Sequence, residues 1–285
     1  MATPEETKDR QLDAATAARP EWGDLLRAYY RHVAPEDVSE RSPEDLLGAV
    51  ASHRDLASSR PQGTAAVRVV TPTITDSGWS ASGRSVVEVV TDDMPFLVDS
   101  VTMELNEEHR SVHMVVHPQL LVRRDITGDL KEIHTSEGQD GIARDMPHDV
   151  FRESWMHIEI DRETDPEDLE AIEQALAKVL RDVREAVEDW ERMNSQARQV
   201  IDDLEKNPPP LDEHEIAEGK ALLEWLADDH FTFLGYREYQ LEKEGGEDAL
   251  RAVPGTGYGI LRADQDMSPS YGKLPPLVAA KAREK

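Results

Sequence analysis

Hydrophobic positions along this chain recur with two periods. Ala65–Thr71 (AAVRVVT), Ser85–Thr91 (SVVEVVT) and Val112–Arg124 are rich in β-branched residues and predict strands, with Gly78–Gly83 a hairpin-like connection between the first two. Between the second and third runs, Asp92, Asp93, Met94 and Pro95 supply turn chemistry, and Phe96, Leu97, Val101 and Leu105 then share one helical face. Strand, turn, helix and strand thus follow one another without a spare residue. Asp125–Asp129 reads as a turn, Leu130–His134 as a strand paired across it, and a polar loop precedes Glu153. Trp155–Ile160 alternates, with Trp155, His157 and Glu159 on one face and Met156, Ile158 and Ile160 on the other. One of these faces is expected in the core, the other wet or covered by a neighbour.

The remaining pattern is helical. Trp22, Leu25, Leu26, Tyr29 and Tyr30 give an apolar side to a helix over Glu21–Val33. Ser42 caps a second helix, with Pro43 at its first position and Leu46, Leu47 and Val50 on its buried face. Asp165 and Pro166 open a long one, in which Leu169, Ile172, Leu176, Val179, Val183, Ala186, Trp190, Met193, Ala197, Val200 and Leu204 recur at steps of three and four. Unbroken, it would run on the order of 60 Å. Pro208–Pro210 stop it, and Leu211–Asp228 predicts a return helix with Ile216, Leu222, Leu223, Trp225 and Leu226 apolar. An intrachain helical hairpin is preferred to an intermolecular coiled coil, with part of the seam left for an oligomer contact.

These elements give an α+β class and a division into a disordered arm (1–19), N-terminal helices (20–62), an α+β domain including the long helix (63–206), a return helix (207–229) and the start of a second β-rich domain (230–285), visible in Phe231–Gln240 and Gly257–Arg262. Leu277–Lys285 starts like a helix without a cap, and the end reads as cut, exposing an apolar edge near Leu274, Leu277 and Val278.

Charge narrows the partners. With 59 acidic against 32 basic residues, the net charge is −27, which repels nucleic acid and anionic lipid. No run approaches the roughly 18 apolar residues that span a bilayer, and the start lacks a signal-peptide pattern, so a cytoplasmic location is expected. The chain has no cysteine, which removes disulfides, thiol nucleophiles and Cys-ligated metals.

Candidate chemistry is sparse, and no catalytic, cofactor-binding or metal residue is assigned. Gly255-Thr256-Gly257-Tyr258-Gly259 lacks the third glycine, preceding strand and following helix of a dinucleotide loop, and reads as a hairpin or loop. His109, His113 and His117 are spaced by four, but along a strand that separates side chains by roughly 13 Å. His157 reads as a strand-face residue, and Glu213-His214-Glu215 lacks the second histidine of a metalloprotease helix. No Ser/His/Asp arrangement stands out, and Asp92-Asp93 reads first as a partner of the helix dipole.

Three segments in order, DDMPFLVDSV (Asp92–Val101), ESWMHIEIDR (Glu153–Arg162) and HFTFLGYREYQL (His230–Leu241), resemble the N-terminal, non-catalytic region of the large bacterial NAD-specific glutamate dehydrogenases, which begins with ACT-type regulatory domains. The resemblance covers most of Trp22–Lys285. It implies a ferredoxin-like βαββαβ domain over roughly Ala65–Glu205, a homo-oligomer, and a polypeptide whose catalytic part lies downstream. The parent reaction in amino-acid catabolism would be L-glutamate, NAD and water to 2-oxoglutarate, ammonium and NADH. NAD would bind that missing part, and this chain would be silent alone. In ACT domains an Asp-x-Pro-Gly-Leu turn can receive an amino-acid effector. Asp93, Pro95 and Leu97 match it, and Phe96 stands at the glycine position. The turn Asp92, Asp93, Met94, Pro95, Phe96 and Leu97 is therefore the candidate effector site. A freestanding ACT-like binding or scaffold protein is the alternative.

Overall fold

A computed structural model describes residues 3–135, 147–244 and 247–263, which form two compact units, divided between Arg181 and Asp182. The terminal stretch around Leu274, Leu277 and Val278, and much of the polar loop before Glu153, lie outside the described residues.

The first unit opens with helices α1 (Pro4–Ala18), α2 (Gly23–Tyr29), α3 (Pro35–Ser39) and α4 (Pro43–Leu56). The expectation of a disordered arm over 1–19 is corrected by α1. Thr3 and Glu6 form a reciprocal capping box, and Leu12 and Ala15 are buried in the cluster that holds the next three helices. Two small apolar contacts suffice because α3 and α4 supply the rest of the interface. Ser42 caps α4 as its sequence predicts, accepting from the Asp45 amide at 3.1 Å.

Six antiparallel strands follow: β1 (Ala66–Val70), β2 (Ser85–Asp92), β3 (Val112–Val116), β4 (Gln119–Arg124), β5 (Leu130–His134) and β6 (Val150–Ile160). Helix α5 (Ile74–Ser77) joins β1 to β2, α6 (Leu97–Glu107) joins β2 to β3, and α7 (Pro166–Glu188) follows β6. The sheet runs β1-β2-β6-β4-β5, with β3 on the other half of β6. The single strand expected over Val112–Arg124 is in fact two. Pro118 has no amide hydrogen to place in a ladder, so the chain breaks there, and the Pro118 carbonyl instead accepts from Trp155 at 3.0 Å. The chain order differs from βαββαβ as well, because the edge beside β2 is held by β1, which precedes it. That edge is closed by Glu173 of α7, whose carboxylate accepts the Val69 amide at 2.7 Å.

Register pairs Val90 with Trp155 and Glu88 with His157, so one face carries Val90, Trp155, Glu88, His157 and Glu159. Leu26, Tyr29, Leu46 and Val50 of the N-terminal helices pack with Val90 and Trp155 there. The other face presents Val87, Val89, Met156, Ile158 and Ile160, all buried, as are Leu97, Val101 and Leu105 of α6 and Ile172, Leu176 and Leu180 of α7. Both faces of β6 are thus covered. Phe96 departs from the predicted helical face, lying at the N-cap of α6 and half-exposed.

The second unit contains α8 (Trp190–Lys206), α9 (Glu213–Trp225), and the two-stranded sheets β7 (Gly235–Tyr236) with β10 (Tyr258–Gly259) and β8 (Tyr239–Glu244) with β9 (Glu247–Ala252). The continuous helix expected from Asp165 is interrupted at Asp189, which is buried outside helical geometry (φ −96°, ψ 3°). Its carboxylate accepts from the Gly259 amide at 2.9 Å and Arg262 Nε at 3.0 Å, so the loop around β10 is anchored at the break. Gly259 has a φ of +59°, a loop role that accounts for a glycine there without any phosphate ligand. Helices α8 and α9 form the expected hairpin, tied by Lys220 to Glu205 and by Asn194 and Arg198 to the Ala227 carbonyl.

On α8 the buried row is Met193, Ala197 and Ile201, at steps of four, while Trp190 is 38% exposed. Met193→Asp is therefore expected to cost about 3 kcal/mol or more and Trp190→Asp within about 1 kcal/mol. Equal loss of stability in denaturant titrations of the two variants would contradict that assignment.

Candidate effector turn and the buried groups behind it

The turn between β2 and α6 is held from behind by charge. Arg60 Nη2 donates to Asp92 Oδ1 at 2.6 Å, and the Gly63 amide to Asp92 Oδ2 at 3.2 Å. Arg60 also reaches Glu153 Oε1 at 2.5 Å through Nη2, and Arg124 Nε reaches the same oxygen at 2.6 Å. Arg124 Nη2 and Trp155 Nε1 donate to Glu153 Oε2 at 2.9 and 3.1 Å. Burial works to raise the Glu153 carboxyl, and the Arg124 and Arg60 guanidiniums outweigh it and hold it below the usual range.

A cavity of about 550 Å³ opens beside Arg60 and Arg124, lined also by Gln62, Asp125 and Phe151. Two arginines facing a cavity suggest an anion site, but their donors are engaged. The Nη1 groups donate to backbone carbonyls, Arg60 to Thr64 at 2.7 Å and Arg124 to Ala57 and Gly128 at 2.9 and 2.7 Å. This cluster is a structural joint.

Asp93 is fixed separately. Ser154 Oγ donates to Asp93 Oδ1 at 2.5 Å, and Gln119 Nε2 donates to it at 3.0 Å. His117 Nε2 lies 3.0 Å from Ser154 Oγ and, since that hydroxyl spends its hydrogen on Asp93, acts as the donor. Burial lowers the His117 imidazole, opposed by the Asp93 charge. The structure thus brings an Asp, a Ser and a His together where the sequence showed no such group. The serine is central, however, and nucleophile activation needs the histidine between serine and acid. The relay orients Asp93. Sequence reading weighed His117 only with His109 and His113 and missed Gln119 and Ser154, because the group is assembled from the β3–β4 break, β4 and β6; the sole signal was the polar HPQ triplet at that break. His117 and Gln119 also line a cavity of about 390 Å³ with Tyr29, His32 and Pro118.

Pro95 and Phe96 complete the turn. Phe96 has a φ of +69°, the left-handed conformation that glycine adopts without penalty, and the residue is 50% exposed. No side chain caps the first turn of α6. Asp92, Asp93, Met94, Pro95, Phe96 and Leu97 therefore form one connected turn, with both aspartates facing inward to partners and Leu97 buried. The other histidines of the sequence do not converge on it. His113 pairs with Asp161 at 2.7 Å, and His109 ends α6 with a φ of +58°.

Behind β2 and β6 lies a buried polar layer. His53 Nε2 donates to the Val89 carbonyl at 3.0 Å, and its Nδ1 accepts from Tyr29 Oη at 2.8 Å, which fixes a neutral tautomer. Burial, then the neighbouring His157, drive the His53 imidazole down to about 3. Glu159, buried and facing Arg41 at 2.6 Å, is raised by burial but brought to about 2 by His157 and Arg41.

The family profile described as glutamate dehydrogenase, ACT1 domain, matches residues 25–176, which run from within α2 into α7 and contain the six-stranded sheet and the turn. The chain belongs to that family. It is 36% identical over 256 residues to an NAD-specific glutamate dehydrogenase of Halomonas elongata, covering 90% of this chain and 15% of the relative. The enzyme of the same name from Pseudomonas aeruginosa is 38% identical over 220 residues, 76% of this chain and 13% of its own length. That of Mycobacterium tuberculosis is 27% identical over 291 residues, 94% of this chain and 16% of its own length. The chain thus spans about one-sixth of these relatives or less.

Two outcomes are expected. In thermal unfolding, Phe96→Gly should be more stable than Phe96→Ala by about 1 kcal/mol, because only glycine takes the ACT1 turn conformation without strain; equal stabilities would contradict the strain. His53 titrates near 6.5 when unfolded and about 3 when folded, so the unfolded chain binds more protons between these values and stability falls as pH drops through that window. Glu159 adds its own loss only from 4.5 towards 2. His53→Gln should flatten the stability profile between pH 6.5 and 4.5, where these carboxylates are silent, and an unchanged slope there would refute the assignment.

Proposed function

We propose that this chain acts as the N-terminal regulatory and assembly region of a large NAD-dependent glutamate dehydrogenase. The observation that carries this reading is the ACT1 match over residues 25–176, combined with relatives of that name in which the chain corresponds to 13–16% of the length. The parent reaction, L-glutamate with NAD and water giving 2-oxoglutarate, ammonium and NADH, belongs in this reading to the remaining polypeptide, which supplies the NAD site and is the chain's main partner. The chain alone is silent, resides in the cytoplasm and assembles as a homo-oligomer. Among the described residues no helix is long and apolar enough to cross a membrane.

The sheet supports an ACT-type, ferredoxin-like reading. Strand β1 takes the edge beside β2 that a strand after α7 would otherwise fill, and the order β1-β2-β6 followed by β3 and β4 keeps the two helix crossovers on one face. The turn Asp92–Leu97 is the regulatory element of this reading. Its uncapped helix start suits an amino-acid carboxylate, and the half-exposed Phe96 suits contact with a neighbouring domain.

Purified chain given glutamate and NAD should yield no NADH. Calorimetric titration with amino acids should give a saturable signal that Asp93→Ala weakens by about tenfold or more. NADH formation would overturn the reading of the chain as silent, and heats identical to buffer for every amino acid would remove the effector role of the turn.

A further inference from the structure

We propose that the outer face of α9, with the segment just after it, docks a basic amphipathic stretch from the remainder of the long polypeptide; this rests on the reading that the chain is one region of a large dehydrogenase. Helix α9 has no buried residue. Ile216 and Leu223 are partly covered on the side of α8, whereas Glu215, Glu218, Leu222 and Trp225, at steps of three and four, are exposed on the other. Leu222 is 57% exposed and Phe231, six residues beyond Trp225, 54%. These side chains are held in place. The Trp225 ring stacks on His230 with centroids 4.9 Å apart, and Phe231 meets Phe233 edge-on at 5.7 Å. Fixed, exposed aromatics lose little conformational freedom on binding, which is what an interface anchor requires.

Charge selects the occupant. Residues 212–229 carry seven carboxylates and one lysine, and that lysine is paired with Glu205. A partner must therefore bring an apolar row flanked by Lys or Arg. A second copy of this acidic face is repelled at this surface, whatever contact another face makes, as are nucleic acid and anionic lipid. Residues 260–263 lie beside this segment. Ile260 donates to the Leu234 carbonyl at 2.9 Å, three residues from Phe231, and Arg237 holds the Ala263 carbonyl at 2.8 Å. Most of the length of the relatives lies outside the matched part, so sequence of the same polypeptide is at high effective concentration around this face.

The chain has no cysteine, so Leu222→Cys places a single thiol on the proposed surface. Its alkylation rate is compared in the 285-residue chain and in the full-length protein, read on the α9 peptide by mass spectrometry, with the part of iodide-quenchable fluorescence that Trp225→Phe removes as a second probe in the short chain. Alkylation slowed by about tenfold or more in the long form, and restored by adding Trp225→Glu, is the expected result. Equal rates in the two forms would overturn this docking while leaving the regulatory reading intact. Slow alkylation and shielded Trp225 in the short chain, with a doubled mass in solution, would assign the face to a second copy and also overturn it. A source that makes no long form would remove both readings.

Discussion

The joint between Glu153 and the two arginines is the constraint on which the first unit depends. One fully buried carboxylate receives Arg60 from the end of the helical layer, Arg124 from β4 and the Trp155 indole from its own strand, while Arg60 passes on to Asp92. Two guanidiniums and two carboxylates balance in charge, which allows the group to be buried. Loss of one member leaves an unpaired charge in the interior, a change that typically costs about 3–5 kcal/mol. The same group decides where the turn before α6 stands, because Asp92 is its last member. Packing of the N-terminal helices and placement of the candidate regulatory turn are therefore one problem, solved by one carboxylate.

Coverage of both sheet faces gives this joint its setting. Helices α6 and α7 belong to one face and the N-terminal helices cover the other, so β6 is buried along most of its length and can hold Glu153, Ser154, His157 and Glu159 away from water. Those polar groups are partnered in register with the elements above them: Arg41 on Glu159, Arg68 on Glu88, Tyr29 on His53. A polar layer of this kind specifies how the helical layer seats, since a shift by one helical turn would strand several charges.

Much of this was legible from residue patterns. The period-two run Trp155–Ile160 and the Ser42-Pro43 start are local signals, and both are present as read. The turn itself was legible through Asp93, Pro95 and Leu97, although its conformation was not, since a left-handed Phe96 has no sequence signature. What escaped depends on distant partners. Helix α1 carries too few hydrophobes to announce itself and is held by α3 and α4. Asp189 looks like any helix-surface acid until Gly259 and Arg262, about seventy residues later, claim its carboxylate. The alternation of Trp155–Ile160 does not say which face is covered and does not include Glu153, and only the arginines of other elements explain the burial of Glu153 and Glu159. Ser154 of β6 and Gln119 of β4 meet Asp93 directly, and His117 reaches Ser154 from the break between β3 and β4, a coincidence that spacing cannot reveal.

The proposed role makes this chain the regulatory front of a larger dehydrogenase. Immunoblotting of source cells with an antibody against the purified 285-residue chain addresses that directly. A band several times larger than 285 residues, co-migrating with glutamate-dependent NADH production in a native gel, is the predicted result. A band at the size of the 285-residue chain alone, with the activity migrating elsewhere, would contradict it and make the chain a binding protein in its own right.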